Sequence, residues 1–198
     1  MGGCDRHDDT RRRVLLATLD LPATAWARQD SVVFWRLARE GGNVFLMRHA
    51  STEPGTGDPP NFTLGNCATQ RNLSERGRRE AKQAGQRFAS EKVQLARVST
   101  SAWCRCVDTA QLAFGDAKTE VWPALNSFFQ GQGDGDAQGR EVLQAAGNLR
   151  APDNWMLVTH QVNITQLTGV YPGMGEILLT RPVTGPSPSL RVLARWTP

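Results

Sequence analysis

Two short apolar runs in this chain each end in a histidine: Val44-Phe45-Leu46-Met47-Arg48-His49 and Trp155-Met156-Leu157-Val158-Thr159-His160. The chain has 3 histidines, and the third, His7, lies near its start. A neutral imidazole is a nucleophile strong enough to attack phosphorus near neutral pH. A guanidinium grips an oxyanion through two parallel N–H bonds. Arg48 adjoins the first histidine. A third segment, Ser101-Ala102-Trp103-Cys104-Arg105, follows a strand expected over 95–100 and sets Arg105 in the first turn of a helix. Two arginines and two histidines in one pocket make a cationic site suited to a phosphoryl dianion, and a helix start adds backbone N–H groups. Charge stabilisation by these side chains asks for no metal and no cofactor.

Such side chains meet only if the runs are neighbouring strands. Runs of four or five apolar residues read as buried parallel strands, and ligands of open α/β sheets bind beyond the carboxyl ends of such strands. Gly41-Gly42-Asn43 is a turn that launches a strand over 44–47, and residues 50–66, rich in Gly, Pro, Thr and Asn, form a long loop after it. Ser74 caps a helix to about Ser90 with Ala81, Ala84 and Phe88 inward. Leu95–Thr100 is a strand, Trp103–Phe114 a helix ended by Gly115, and Thr119–Trp122 a short strand. Gly131–Asp136 is read as a linker; its two acids lack the glutamate a calcium loop needs. A helix over 139–149, the strand ending at His160, a helix over 161–167, and strands over 175–180 and 190–196 complete the chain. Alternation of strand and helix predicts an α/β fold with a mainly parallel central sheet.

At these residues the chain resembles the histidine phosphatase superfamily, also called phosphoglycerate-mutase-like. Leu46–Thr52 resembles the R-H-G signature, with Ala50 in the glycine position. Leu73-Ser74-Glu75-Arg76-Gly77 resembles the L-[ST]-x-x-G helix start. Ser99–Ala110 resembles the block carrying the second arginine, and Val158-Thr159-His160 the strand of the second histidine. The blocks stand in family order over residues 43–180. The resemblance implies that His49 becomes phosphohistidine, that Arg48, Arg105 and His160 hold the phosphoryl oxygens, and that water then releases phosphate. The fold implied is a three-layer sandwich, its central sheet flanked by helices, and the activity implied is that of a metal-independent phosphomonoesterase with no cofactor. Its alternatives are a non-catalytic phosphate-binding or sensory domain and a phosphoglycerate mutase.

The family's proton donor is missing from both usual places. Gln161 follows His160 where one branch has aspartate, and Pro123–Phe129 carries no acid where another has glutamate. Glu53, Asp58, Asp134, Asp136 and Glu176 are the substitutes, although a good leaving group needs no strong acid. Arg71 is read as a surface arginine with a possible phosphate contact as the second reading.

The chain's 198 residues suit one domain with a full core, and its net charge of +4 is that of an ordinary surface. No nucleic-acid partner is expected. The expected partner is a small phosphorylated substrate or a phosphorylated surface glycan, and the sequence leaves the oligomeric state open. Thr10-Arg11-Arg12-Arg13-Val14-Leu15-Leu16 resembles a twin-arginine export pattern, and Ala25-Trp26-Ala27 an A-x-A cleavage site. Residues 1–27 are thus expected to be a signal peptide and 28–198 the phosphatase domain, in the periplasm; without export the location is cytoplasmic. In an oxidising compartment Cys67 can pair with Cys104 or Cys106.

Overall fold

The computed structural model describes Met1 and residues 23–198, with side chains in the first helix described from Ser31 onward. The expected signal peptide therefore lies almost wholly outside the described residues. Its last residues, Ala23–Ala27, form the first turns of α1 (Ala23–Glu40). No element was expected over 28–40. There Phe34, Trp35 and Ala38 are buried and pack with Trp196 and Phe88, Trp35 lying 4.9 and 5.1 Å from those rings.

Six strands form one sheet: β1 (Asn43–Arg48), β2 (Arg97–Thr100), β3 (Thr119–Val121), β4 (Asn154–Thr159), β5 (Ile177–Val183) and β6 (Ser189–Trp196). Their order is β3-β2-β4-β1-β5-β6. β3, β2, β4 and β1 run parallel, and β5 and β6 add an antiparallel edge. This is the expected mainly parallel sheet. The remaining helices are α2 (Glu75–Ser90), α3 (Cys104–Phe114), α4 (Gly135–Ala146) and α5 (Gln161–Thr168).

Alternation along β1 divides the core. Phe45 and Met47 face a cluster with Phe34, Trp35, Phe88 and Ala110, from α1, α2 and α3. Val44 and Leu46 face Val142, Ala146 and Ile164, from α4 and α5. The fold is thus three layers with helices on both faces, as the resemblance implies. Truncating Phe45 to alanine in such a core costs about 3–5 kcal/mol.

Two local devices hold the loop after β1. Ser74 caps α2 by accepting from the Gly77 N–H at 3.1 Å, and its own hydroxyl donates to the Ser51 carbonyl at 3.1 Å. Gly77 sits so close to that loop that a Cβ would lie 1.9 Å from the Ser51 oxygen. The expected linker at 131–136 is partly helix instead. Asp134 caps α4 by accepting from the Ala137 N–H at 3.0 Å, which starts the helix at Gly135 rather than 139.

Candidate active site

β1 and β4 are parallel neighbours in a register that sets Arg48 opposite Thr159. The next residue on each strand is a histidine, so His49 and His160 emerge side by side at the carboxyl edge of the sheet. The His49 N–H donates to the Thr159 carbonyl at 3.0 Å, which extends the ladder into the site. The two imidazoles stand edge to face, 5.6 Å between centroids.

Both rings are buried and neutral. His49 Nδ1 lies 2.9 Å from the Ala50 carbonyl. A carbonyl only accepts, so Nδ1 carries the proton and Nε2 keeps its lone pair. Burial, reinforced by the Arg105 and Arg48 charges, lowers the His49 pKa to about 3. Burial, with the neighbouring His49 and Arg105, also drives His160 well below its ordinary value. Arg105 Nη2 approaches His160 Nδ1 at 3.5 Å, which makes Nδ1 the acceptor; Nε2–H then donates to Ser101 Oγ at 2.8 Å.

The four expected residues lie on one pocket of about 160 Å³, together with Arg71, Asp58 and Trp103. Arg48 extends from the end of β1, donates to the Pro172 carbonyl at 2.9 Å and passes beside the Tyr171 ring. Arg105 rises from the first turn of α3. Arg71 lies on the loop before α2 and donates to the Gly55 carbonyl. It is half-buried and lines the pocket rather than the outer surface. The Nε atoms of Arg48, Arg71 and Arg105 are all buried without a hydrogen-bond partner. An orphaned buried N–H is costly, and three arginines lining one pocket, each with an unpartnered Nε, make it strongly cationic.

The five acids fare differently. Glu53 is exposed on the loop, its N–H bonded to the Asn72 carbonyl. Asp134 caps α4, and Asp136 accepts from Gln166 at 3.2 Å on the surface. Glu176 accepts from the Gly173 N–H at 2.7 Å and pairs with Arg195; burial pushes its carboxyl up, but those partners outweigh it and hold it below the usual range. Asp58 alone reaches the pocket. Burial pushes its carboxyl up, and Arg105, the Arg71 N–H and the Trp103 indole together bring it below the usual range. The one acid at hand is therefore an ion-paired carboxylate.

Three contributors were not anticipated. Glu80 accepts from the Ser51 N–H and hydroxyl, both at 3.0 Å, and so steadies the loop behind His49. Asn126 accepts from the Ala102 N–H at 2.9 Å and the Ser101 hydroxyl at 3.3 Å, which orders the turn before α3. Tyr171 lines the pocket beside Arg48. All three act across long sequence gaps and carry no local signal. Cys67 pairs with Cys104, which leaves Cys106 as a buried thiol. That bond ties the loop to the first residue of α3, next to Arg105. Among the described residues no cluster of His, Cys, Asp and Glu could hold a metal ion, and no helix is long and apolar enough to cross a membrane.

The family model of the histidine phosphatase superfamily (branch 1) matches residues 44–138. No curated protein matches the chain significantly. Among solved structures, the chain is similar to the protein histidine phosphatase SixA complexed with tungstate, at 15% identity and TM-score 0.53, over 78% of this chain and 96% of that one. It is similar to the alpha-ribazole phosphatase from Shigella flexneri at 17% identity and TM-score 0.52, over 77% and 96%. It is also similar to YhfR of Bacillus stearothermophilus at 17% identity and TM-score 0.54, over 77% and 95%. At such identities these likenesses speak for the fold. With the family match and the ordered blocks at the strand ends, residues 44–138 are a histidine phosphatase superfamily (branch 1) segment.

Proposed function

We propose that the protein is a phosphatase that hydrolyses a phosphomonoester through a phosphohistidine at His49, with no metal. The observation that carries this is one pocket in which a neutral, oriented imidazole stands among three guanidiniums with unpartnered Nε atoms. His49 Nε2 attacks phosphorus; the N–P bond forms as the P–O bond to the leaving group breaks. Arg48, Arg71 and Arg105 take the charge on the nonbridging oxygens, and His160 packs against them as a neutral ring. The leaving oxygen takes its proton from water, because Asp58 is held as an anion. The hydroxide left by that water then attacks phosphorus, the P–N bond breaks, hydrogen phosphate leaves and His49 returns to its neutral form.

The substrate is a small phosphorylated molecule or a phosphorylated surface glycan. What supports a neutral, hydroxylated leaving group is the outer lining: Gln130, Gln132 and Gln161 offer amides, and Phe129 and Tyr171 offer exposed ring faces. The same reading has the protein exported and cleaved after Ala27, where the Cys67–Cys104 bond would persist. Cleavage there leaves Phe34, Trp35 and Ala38 in the core.

The test is hydrolysis of p-nitrophenyl phosphate by purified protein in EDTA, beside His49→Ala. Turnover by the wild type and its loss in the variant are expected. Undiminished turnover in the variant refutes the phosphohistidine route. Phosphoryl exchange between phosphoglycerates would mark a mutase instead, and phosphate binding without turnover a binding module. For export, the mature protein should begin at Arg28 by mass; an intact Met1 in the periplasmic fraction or retention in the cytosol overturns it.

A further inference from the structure

The pocket contains one carboxylate that the reaction does not use as an acid. Asp58 lies on the loop after His49, 47 residues from Arg105 in sequence. Its Oδ1 accepts from Arg105 Nη1 at 2.7 Å and from the Arg71 N–H at 3.0 Å. Its Oδ2 accepts from the Trp103 indole at 3.0 Å. The pair is almost fully enclosed: the Arg105 side chain is 5% exposed and that of Asp58 7%.

A carboxylate on the substrate's arginine would either compete with the phosphoryl group or aim the arginine at it. The hydrogen bonds decide between these. Asp58 engages Nη1, the end of the guanidinium that also points at the Arg71 carbonyl, 3.4 Å away. Nε lies on the opposite edge, which it shares with Nη2; Nε has no partner, and Nη2 spends one N–H on His160 Nδ1 at 3.5 Å and keeps its second. A fork bound at one end still offers its side edge to a second oxyanion in bidentate geometry. Charge points the same way. Three guanidiniums and one carboxylate leave two positive charges beside neutral histidines, the complement of a phosphate monoester dianion. The Cys67–Cys104 bond locks the same junction one residue from Arg105.

We propose that Asp58 is a positioning residue: it holds Arg105 by Nη1 so that the Nε–Nη2 edge meets the transferring phosphoryl group, and it is not the proton donor. The inference rests on the phosphatase reading for its kinetic arm and on anion binding alone for its second arm. An amide at 58 loses the charge and one of the two acceptor oxygens, so Arg105 is freed to rotate.

The experiment is a double-mutant cycle of Asp58→Asn and Arg105→Lys, with Asp58→Glu as the charge-conserving control. For each protein, kcat/KM is measured on aryl and alkyl phosphates of graded leaving-group acidity, inorganic phosphate is titrated by calorimetry, and folding is followed by circular dichroism. We expect Asp58→Asn to lower kcat/KM about 10–100-fold, equally for every leaving group. The double variant should be no worse than Arg105→Lys alone, and Asp58→Glu should recover part of the loss. A loss that grows as the leaving group becomes less acidic would identify Asp58 as the proton donor and overturn the proposal. Additive losses, or an unchanged Asp58→Asn, overturn it too. If the wild type binds phosphate but turns nothing over, the phosphatase reading fails, and additivity in phosphate affinity still decides the role of Asp58.

Discussion

His49 donates through Nδ1 to the carbonyl of its own neighbour, Ala50, at 2.9 Å. The bond closes within two consecutive residues, so the tautomer is set by the backbone at the end of β1 and not by a distant partner. It leaves Nε2 as the nucleophile. The phosphoenzyme trapped by acid-free quenching should therefore carry phosphate on Nε2, as judged by phosphorus NMR of the denatured protein. Phosphate found on Nδ1 would contradict the assignment. His49→Ala should lower kcat on the order of 10⁴-fold or more, as loss of a nucleophile does elsewhere.

Burial of neutral histidine makes the fold sensitive to mild acid. Between pH 6.5 and 5 an unfolded chain takes up a proton at position 49, whereas the folded chain does so only near pH 3. The unfolded state binds more protons in that window, so stability falls as pH falls. His49 alone accounts for roughly 2 kcal/mol between pH 6.5 and 5, at about 1.4 kcal/mol per unit. His160 shifts in the same direction and adds to the loss. Urea unfolding at the two pH values should show it, and His49→Asn should flatten the dependence. An equal slope in that variant would show that His49 does not carry it.

Reduction of Cys67–Cys104 opens a covalent loop of sequence separation 37. The expected loss is about 2–4 kcal/mol, read from denaturant midpoints with and without a dithiol reductant. Cys106 should stay inert throughout. Burial, opposed only weakly by the Arg105 charge, pushes its thiol up to about 12. Peptide mapping after iodoacetamide should find it unlabelled until the protein unfolds.

Gly77→Ala should be costly although alanine favours helices. The new methyl would meet the Ser51 carbonyl, a backbone atom that cannot swing aside. A loss of about 1–3 kcal/mol is expected, with a fall in kcat because Ser51 sits two residues from His49. Thermal melts and initial rates check both parts. Gly65→Ala, where nothing lies within 4 Å, supplies the comparison for space, though its φ of 83° carries its own strain.

The centre of the sheet could be read from the chain because β1 and β4 are continuous apolar runs, and the parallel topology then forced His49 and His160 together. Ser74 and Gly115 marked helix ends by chemistry that is local. α1 escaped because its buried stripe, Phe34, Trp35 and Ala38, follows a stretch whose arginines and A-x-A pattern read as a leader. The start of α4 escaped because glycines surround its cap, Asp134. The partners of Asp58, Arg71 and Glu80 were illegible for a deeper reason. Each lies 13 to 47 residues away, and a loop rich in glycine and proline carries no periodicity from which to infer where its side chains turn.

The register of β1 against β4 has a consequence for how this protein can change. The two histidines are spaced by peptide geometry, whereas Gln130 and Gln132 come from one loop, Gln161 from the start of α5 and Tyr171 from the segment after it. The chemistry is hard-wired and the selectivity is modular. Libraries confined to those four positions should yield altered preferences among phosphate esters without eroding the reaction itself.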